Sequence, residues 1–385
     1  MQPVGRVMEQ PAISLYALSE QRLNASREHE LPFAVWCHVL VDGPSSSRRP
    51  RMNITLFYDG GHEFVWRFSP DVAGTWRWST VCAEDSGLDG ASGEFVVVSA
   101  RAHSPGGLLA DPERPRRLVH EDGSHYLPIG LEMDWLYAMN SNDAQRDATI
   151  DALSRHGFNQ IIAQVYANFS DWSALPPNVA PRVSPTALTP WASADQLSLD
   201  LRFFRAWDAL LFQLAEAAPQ MVLHLMLYVG NKNVRWPERR SLADEVYWRH
   251  VLARFGAFGG LLLDVSKEAG SYGVGADYVV DRLHLMHEMN AHRRPITSHS
   301  GFEWSNRCEL PRAGGAPLCD VASVQVHFKE DASDWAAPVW RPFEEQAHMY
   351  YEQMLLLAAQ QPSLPMINVE FLYEAGEYGG CGGCG

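Results

Sequence analysis

Two glutamates each follow an apolar stretch that is typical of a buried strand. Glu268 comes after "GGLLLDVSK", and Glu370 ends "LPMINVE". Paired carboxyl groups can cleave a glycosidic bond: one with a raised pKa protonates the leaving oxygen, and the other attacks or stabilises the oxocarbenium-like carbon. About 5 to 5.5 Å between the carboxyl groups gives retention through a covalent intermediate, and about 6.5 to 9.5 Å gives inversion. The fold must therefore bring these two residues together.

Polar and aromatic residues also stand at or shortly after the ends of the other strand-like stretches. Such residues recur after seven stretches in succession, so we expect them to line one pocket. Aromatic rings can stack on sugar faces, and polar groups can bond sugar hydroxyls, although any single ring is as readily explained by packing. The candidates for substrate binding are Asp134, Trp135, Tyr166, Asn231, Lys232, Trp236, Lys267, His299, Trp304 and His327.

The chain carries no spacing motif for a metal or a cofactor. Cys381 and Cys384 have the two-residue spacing of a zinc ligand pair, but no second Cys or His pair stands near them. His299, His327 and Asp264 likewise form no ligand motif. Six cysteines are few for this length, which argues against a disulfide framework. We therefore expect no metal, no cofactor and no disulfide framework.

The elements that must position the glutamates are strands alternating with amphipathic helices in residues 118–385. Stretches such as "FNQIIAQVYA" and "QMVLHLMLYV" are separated by helix-like ones such as "FFRAWDALLFQLAEAA". This alternation predicts an α/β fold, a (β/α)8 TIM-type barrel. A doubly wound sheet would be expected to carry a glycine-rich phosphate loop after its first strand, and "PIGLEMDW" has none. In a barrel, the ends of strands four and seven can place Glu268 opposite Glu370.

Seven strands are visible, so the predicted barrel lacks its eighth. After the seventh, "LYEAGEYGGCGGCG" holds neither a strand nor a closing helix. We expect a C-terminally truncated barrel, because an open parallel barrel leaves backbone groups and apolar edges unpaired. The alternatives are a barrel that is open on one side and an eighth strand that another chain supplies.

Residues 12–100 show a different pattern, with short alternating runs divided by turns about every ten residues. This predicts an N-terminal antiparallel β-sandwich domain, joined to the barrel by a linker at 101–117. Trp76 and Trp78 alternate with Arg77, so both indoles face one side of a strand. They either fill the core or form a flat platform for sugars.

The charge balance excludes several partners. Across 385 residues, 31 Lys and Arg stand against 46 Asp and Glu, for a net charge of −15. This opposes binding to nucleic acid or anionic membranes. No apolar run approaches the roughly 20 residues of a membrane span, and no leader is visible, so a cytoplasmic location is expected. Carbohydrate is the expected partner, and the oligomeric state is left open.

Several of these stretches resemble a known family. "VEFLYEAG", "LLLDVSKEAGSY", "LPIGLEMDWLYAMN" and "LMLYVGNKNVRWPE" together are similar to the apiosidase-like barrel group related to clan A glycoside hydrolases. "FSPDVAGTWRWST" resembles the small β-domain of unknown function that commonly precedes such barrels. The resemblance implies a retaining glycosidase acting on a polysaccharide fragment, with Glu268 as acid/base and Glu370 as nucleophile.

The sequence departs from this family at one position beside the expected acid/base. The clan usually has Asn there, contacting the sugar 2-hydroxyl, whereas this chain has Lys267. A lysine can only donate, and its charge would suit an anionic sugar such as a uronic acid or a sulfated unit. Two other functions stay open: a carbohydrate-binding barrel without turnover, and a uronic-acid lyase with Lys267 as base.

Overall fold

The computed structural model describes most of the chain up to residue 299 and shorter parts after it, and the statements below concern these residues. The described ranges are 12–133, 136–137, 143–166, 189–230, 234–269, 273–299, 308, 310–312, 314–324, 348, 351–352, 354–356, 358–359 and 363–369.

The N-terminal part consists of strands in two sheets. They are β1 (Ile13–Ser14), β2 (Ser19–Asn24), β3 (His38–Asp42), β4 (Arg51–Thr55), β5 (Phe57–Gly60), β6 (Glu63–Phe68), β7 (Gly74–Val81) and β8 (Ser92–Val98). The sheet orders are β1-β8-β7-β3-β4 and β2-β6-β5. All neighbouring pairs are antiparallel except β1 with β8.

The inner faces of these two sheets share one hydrophobic core. Trp66, Phe68 and Phe95 belong to it, together with Trp76 and Trp78. Trp76 is 0% and Trp78 is 8% exposed. The interpretation of these two tryptophans as core residues is confirmed, and they offer no platform for sugars.

Two disulfide bonds are present, although nothing in the sequence suggested a disulfide framework. Cys37 is bonded to Cys82, and Cys308 to Cys319. The register of β3 and β7 pairs His38 with Val81, which brings the preceding Cys37 opposite the following Cys82. The sequence separation of 45 residues gave no signal, because this proximity is created by strand pairing.

Alkylation tests the disulfides directly. Iodoacetamide treatment of the unfolded protein without reductant is expected to leave Cys37, Cys82, Cys308 and Cys319 unmodified, because a disulfide has no thiolate to alkylate. Prior reduction should make all four reactive, as read by peptide mass spectrometry. Full alkylation of the four without reductant would disprove the bonds.

A small sheet lies between the two larger parts of the chain. It is formed by β9 (Leu108–Ala110), β10 (Leu118–His120) and β11 (His125–Tyr126), paired antiparallel. Strand β9 lies inside the segment expected to be a linker. Its Leu108 is fully buried and shares a core with Leu118 and Tyr126, which explains why this segment is ordered.

Seven parallel strands follow, with helices between them. The strands are β12 (Gly130–Glu132), β13 (Gln160–Gln164), β14 (Val222–Val229), β15 (Leu261–Lys267), β16 (Ile296–Thr297), β17 (Ala322–Val324) and β18 (Met366–Asn368). The helices are α1 (Asp143–Arg155), α2 (Leu201–Ala217), α3 (Leu242–Phe255) and α4 (Ala276–Met289). This order confirms the α/β class.

The parallel strands stand side by side in sequence order. One sheet runs β12-β13-β14-β15-β16, and β17 pairs with β18. The amide of Asp320, just before β17, donates to the carbonyl of Ile296 on β16 at 2.7 Å. Each described strand thus lies next to its predecessor, without the reversal that defines a doubly wound sheet.

Alternate residues of these strands enter two different cores. Ile161, Leu223 and Leu263 pack in the cluster that also holds the buried residues of the helices. Ile162 packs in a second cluster, together with Ile367 of β18. The strands are therefore covered on both faces, as parallel strands generally are.

Buried ion pairs join the N-terminal sheets to the helices. Arg67 of β6 makes two bonds of 2.8 Å to the carboxylate of Asp208 on α2. Arg254 of α3 contacts the same carboxylate at 2.6 Å and Asp59 of β5 at 2.9 Å. Arg67 is 2% and Arg254 1% exposed. Since both guanidinium groups are enclosed, Asp208 holds the two parts of the chain together.

The described helices were also compared with the requirements of a membrane span. Among the residues that the structure describes, none of the helices combines the length and the apolar composition needed to cross a bilayer.

Candidate active site

Glu268 lies directly after the carboxyl end of β15, the fourth strand of the parallel sheet. The strand ends at Lys267, and Glu268 then takes a φ of 47°, in the left-handed region that non-glycine residues rarely adopt. Its side chain is almost enclosed, with 6% of the residue exposed. The next amide, of Ala269, donates to the carbonyl of His299 at 3.1 Å. Such a backbone conformation persists where its surroundings fix it, and it is frequent at functional sites.

The buried carboxylate of Asp264 accepts hydrogen bonds from backbone amides at the ends of both β15 and β16. Its Oδ1 accepts the amides of Ser266 and His299, both at 3.0 Å. Its Oδ2 lies 2.7 Å from Nε2 of His224 on β14. Asp264 and His224 are both 0% exposed. One buried carboxylate thus positions the two strand ends that carry Glu268 and His299.

Lys267 forms an ion pair with Glu132, the last residue of β12. Nζ of Lys267 contacts Oε1 of Glu132, and their side chains are 7% and 17% exposed. Strands β13 and β14 stand between the two strands in the sheet order. The contact therefore joins the carboxyl ends of strands that are not neighbours.

Aromatic side chains form a second group at the ends of β13 and β14. Trp236 stacks on Tyr228, with ring centroids 4.7 Å apart, and its indole donates to the carbonyl of Val229 at 2.8 Å. Trp191 meets Trp236 edge-on at 5.5 Å and Tyr166 at 6.0 Å. The two tryptophans are partly exposed, whereas Tyr166 is buried and burial raises its pKa.

The structure thus describes five of the residues selected from the sequence. It brings Glu268, Lys267 and His299 together at the ends of β15 and β16, and it places Tyr166 and Trp236 in the aromatic group. Tyr166 lies deep in the core, so its described contacts are packing contacts. The other selected residues lie outside the described ones: Asp134, Trp135, Asn231, Lys232, Trp304, His327 and Glu370.

Some residues of this region were not selected from the sequence. Glu132 had a signal, since it ends strand one in "GLEMDW". Asp264 was noted at the end of strand four but only as an unsupported metal ligand, and its pairing with His224 depends on the register of β14 and β15. Trp191 follows a long segment without strand or helix pattern, so nothing in the sequence linked it to Trp236.

Replacing Asp264 with alanine is expected to impair both stability and activity. The change leaves two buried amides and His224 without their partner, and each such group costs about 1 to 3 kcal/mol. Because it also releases the strand end before Glu268, we expect kcat/KM to fall about 100-fold, the scale of a 1 Å misplacement. Urea unfolding and kinetics below the unfolding range measure the two effects.

Asp208→Ala is the matched control, because it also removes a buried carboxylate but lies on α2. Its folded protein should keep the normal kcat/KM while losing stability. Normal kcat/KM in Asp264→Ala would show that Asp264 does not position the site.

Comparison with known proteins shows the fold. No protein-family model matches the chain, and neither does any curated protein. A solved structure, provisionally described as a glycoside hydrolase from Bacteroides vulgatus, matches with a TM-score of 0.68 and 19% identity over 82% of this chain. The match spans 60% of that structure's own chain. At this identity the likeness is one of fold.

Two further solved structures match less well. A glycoside hydrolase family 5 protein from Bacteroides vulgatus has a TM-score of 0.47 and 18% identity, over 71% of this chain and 56% of its own. Thermotoga maritima Cel5A, solved with mannotriose, has a TM-score of 0.43 and 11% identity, over 66% and 80%. At these scores they add nothing to the argument.

Proposed function

We propose that this protein is a retaining glycoside hydrolase of the apiosidase-like group in clan A, acting on a poly- or oligosaccharide. Glu268 serves as acid/base and Glu370 as nucleophile. The observation that carries the proposal is the fixed position of Glu268 at the carboxyl edge of sequentially ordered parallel strands. Its side chain is enclosed and its backbone φ lies in the left-handed region. The amide of the next residue, Ala269, donates to the carbonyl of His299. The described chain reaches Val369, directly before Glu370.

The proposed mechanism assigns one role to each glutamate. Glu268 gives its proton to the leaving oxygen while Glu370 attacks the anomeric carbon, which forms a glycosyl ester. Glu268 then takes a proton from water, which attacks the ester and releases Glu370. Lys267 and His299 beside Glu268, and the partly exposed Trp236, contact the sugar. We assign the same role to the substrate-binding candidates outside the described residues.

A (β/α)8 barrel in residues 118–385 is part of the proposal. In a flat sheet, β12 and β15 would lie three strand steps of about 4.8 Å apart, or about 14 Å. Side chains perpendicular to such a sheet could not meet, yet Lys267 contacts Glu132. We infer from this contact that the strands curl, and the shared cluster of Ile162 with Ile367 supports the same curvature.

The domain division is proposed with it. The single core shared by two sheets supports a β-sandwich in residues 12–100. We assign residues 101–117 as the connection between the two domains. Strand β9 lies in this connection but is part of the second domain, because Leu108 packs with that domain's strands.

An eighth strand is proposed beside β12. Among the described strands, β12 pairs with β13 alone. Leu127 and Ile129, just before β12, are 74% and 51% exposed. An unpaired edge next to exposed apolar side chains fits a site for a further strand. An experimental structure tests this: a strand paired with β12 on its free side supports the proposal, and a solvent-exposed edge there argues against it.

Replacing Glu370 with glutamine tests the assignment. Turnover should be abolished, because an amide cannot form the glycosyl ester, while the circular dichroism and the melting temperature stay unchanged. Glu288→Gln, an exposed site on α4 paired with Arg249 at 3.4 Å, is the control and should keep full activity. Full activity of Glu370→Gln would refute the nucleophile assignment.

A carbohydrate-binding barrel without turnover is the second candidate, and it is favoured by the edge of β12 that no described strand pairs with. Binding of glycosides without release of an aryl group, in this chain and in a C-terminally extended one, would support that reading. The lyase alternative is weaker, because a base needs a free lone pair and Lys267 is engaged as an ammonium with Glu132. An unsaturated product absorbing in the ultraviolet would reinstate it.

The cellular location stays a prediction. The sequence led us to expect the cytoplasm, whereas the two disulfides favour an oxidising compartment. We therefore propose an oxidising location, and the alkylation pattern of protein taken from its native source tests it.

A further inference from the structure

A histidine next to the parallel strands is bonded to the N-terminal sheets through both its side chain and its backbone. His292 lies between α4 and β16, and its Nε2 accepts the amide of Ser69, directly after β6, at 3.3 Å. The carbonyl of His292 accepts a bond from the guanidinium group of Arg49. The residue is 4% exposed. Because Nε2 accepts an N–H, this nitrogen carries no proton, and the ring is neutral in this contact.

The charges nearest to the ring of His292 are positive. Burial and the charges of Arg294 and Arg49 hold the pKa of His292 well below its ordinary value. The carboxylate of Glu121 contacts Arg49 at 2.8 Å. A proton on His292 would remove the acceptor of Ser69 and add a third positive charge beside two arginines. The charged and titratable groups of this cluster are Arg48, Arg49, Arg294, Asp71, Glu121 and Tyr16.

A second histidine lies between the N-terminal part and the helices, among aromatic rings. His250 of α3 contacts the rings of Phe33 and Phe57, from the N-terminal part, with centroids 5.3 and 5.8 Å away. It contacts the ring of Phe204 on α2 at 4.7 Å. His250 is 4% exposed, and its buried Nε2 has no hydrogen-bond partner among the described residues. A proton at Nε2 would therefore become a buried donor without an acceptor.

The charges that act on His250 are positive as well. Burial and the charges of Arg254 and Arg67 hold the pKa of His250 well below its ordinary value. The carboxylates of this region, which contact these two arginines, are Glu20, Asp59 and Asp208. Both interface histidines are thus buried beside arginines, and both are neutral in the folded protein.

We propose that His250 and His292 form an acid-sensitive latch, which holds the N-terminal sheets on the helices and parallel strands while both rings are neutral and releases them when both are protonated. A histidine in an unfolded chain has a pKa of about 6.5. Since both folded values lie lower, opening of the latch takes up protons below about pH 6.5. The stability that the neutral rings contribute is full above this pH and is lost as the pH falls toward the folded values.

Urea unfolding of the whole chain at two pH values tests the latch. The proteins are wild type, His250→Leu, His292→Gln and the double variant. Leucine is apolar and of similar size, and the glutamine carbonyl can still accept the amide of Ser69. The unfolding equilibrium constant at about pH 5.5, divided by that at about pH 7.5, should be about tenfold smaller in each single variant than in wild type and about 100-fold smaller in the double variant.

The comparison between variants removes the contributions of other groups. Burial also lowers the pKa values of His38, His120 and His287, but these residues contribute equally to all four proteins. The matched control is His284→Gln, which removes an exposed histidine from α4. Its ratio should equal that of wild type. A wild-type ratio in either single variant, or in the double variant, refutes the latch.

Hydrogen exchange of the wild-type protein distinguishes a latch from general unfolding in acid. Rates at the two pH values are corrected for the intrinsic pH dependence of exchange. The peptides that contain Phe57 and Ser69 should lose protection in acid, whereas β14 should remain protected. An equal loss in β14, or no loss around Ser69, overturns the proposal. If the variants do not fold, this measurement decides by itself.

Discussion

Replacing Glu268 with glutamine is expected to lower kcat/KM by about 100- to 10,000-fold on glycosides with a poor leaving group. The reason is that the carboxylic acid must protonate the departing oxygen. Glycosides with an activated group such as dinitrophenolate leave without this proton, so their kcat/KM should stay near the wild-type value. Their kcat should still fall, because water attack on the glycosyl ester also needs Glu268 as base.

The contrast between the two leaving groups is the diagnostic part of this experiment. A residue that merely supports the fold would reduce both reactions alike. Glu288→Gln serves as the charge-matched control, and the melting temperature shows that Glu268→Gln is folded. An equal loss of kcat/KM on both leaving groups would remove Glu268 from the acid/base role.

Replacing Asp208 with alanine is expected to cost about 3 to 5 kcal/mol of the free energy of unfolding. The side chain of Asp208 is 11% exposed and is the shared counter-charge of Arg67 and Arg254. Removing it leaves two enclosed guanidinium groups, whose remaining described carboxylate partners are Glu20 for Arg67 and Asp59 for Arg254. Urea unfolding followed by circular dichroism measures the loss.

Glu216→Ala is the control for this change, because it removes a carboxylate from the exposed side of the same helix α2. Its effect should be within about 0.5 kcal/mol. A loss below about 1 kcal/mol in Asp208→Ala would mean that the ion pairs do not hold the N-terminal sheets to the helices.

The sequence predicted the features that depend on local periodicity. The alternation of Trp76 and Trp78 around Arg77 predicted a shared face, and both tryptophans are in the core. The strand and helix pattern predicted parallel strands in sequence order, and the apolar stretch before Glu268 is the fourth of them, β15, as predicted. These patterns reflect which face of an element is buried, and that information is local.

Features that depend on distant strands were not predictable in this way. The contact of Lys267 with Glu132 joins the ends of strands that are not neighbours, and no local pattern encodes such a contact. The pairing of Cys37 with Cys82 requires the register of β3 and β7. The left-handed φ of Glu268 also lacked a signal, since glutamate has no preference for that region.

The structure changes the interpretation of Lys267, the last residue of β15. From the sequence, Lys267 was an uncompensated charge beside the acid/base, which favoured an anionic substrate. In the structure it is paired with Glu132, so the site presents a donor and an acceptor together. This pairing depends on one side chain on a distant strand, so the sequence alone could not reveal it.

The central claim is that Glu370 forms a covalent bond to the substrate while Glu268 supplies and removes the proton. The most direct test is to treat the protein with a panel of activated 2-deoxy-2-fluoro glycosides, which slow release of a glycosyl ester, and to map the modified peptide by mass spectrometry. We predict one added glycosyl group on Glu370 and none in Glu370→Gln. A label on another residue, or hydrolysis of a matched substrate with inversion of the anomeric configuration, would contradict the account.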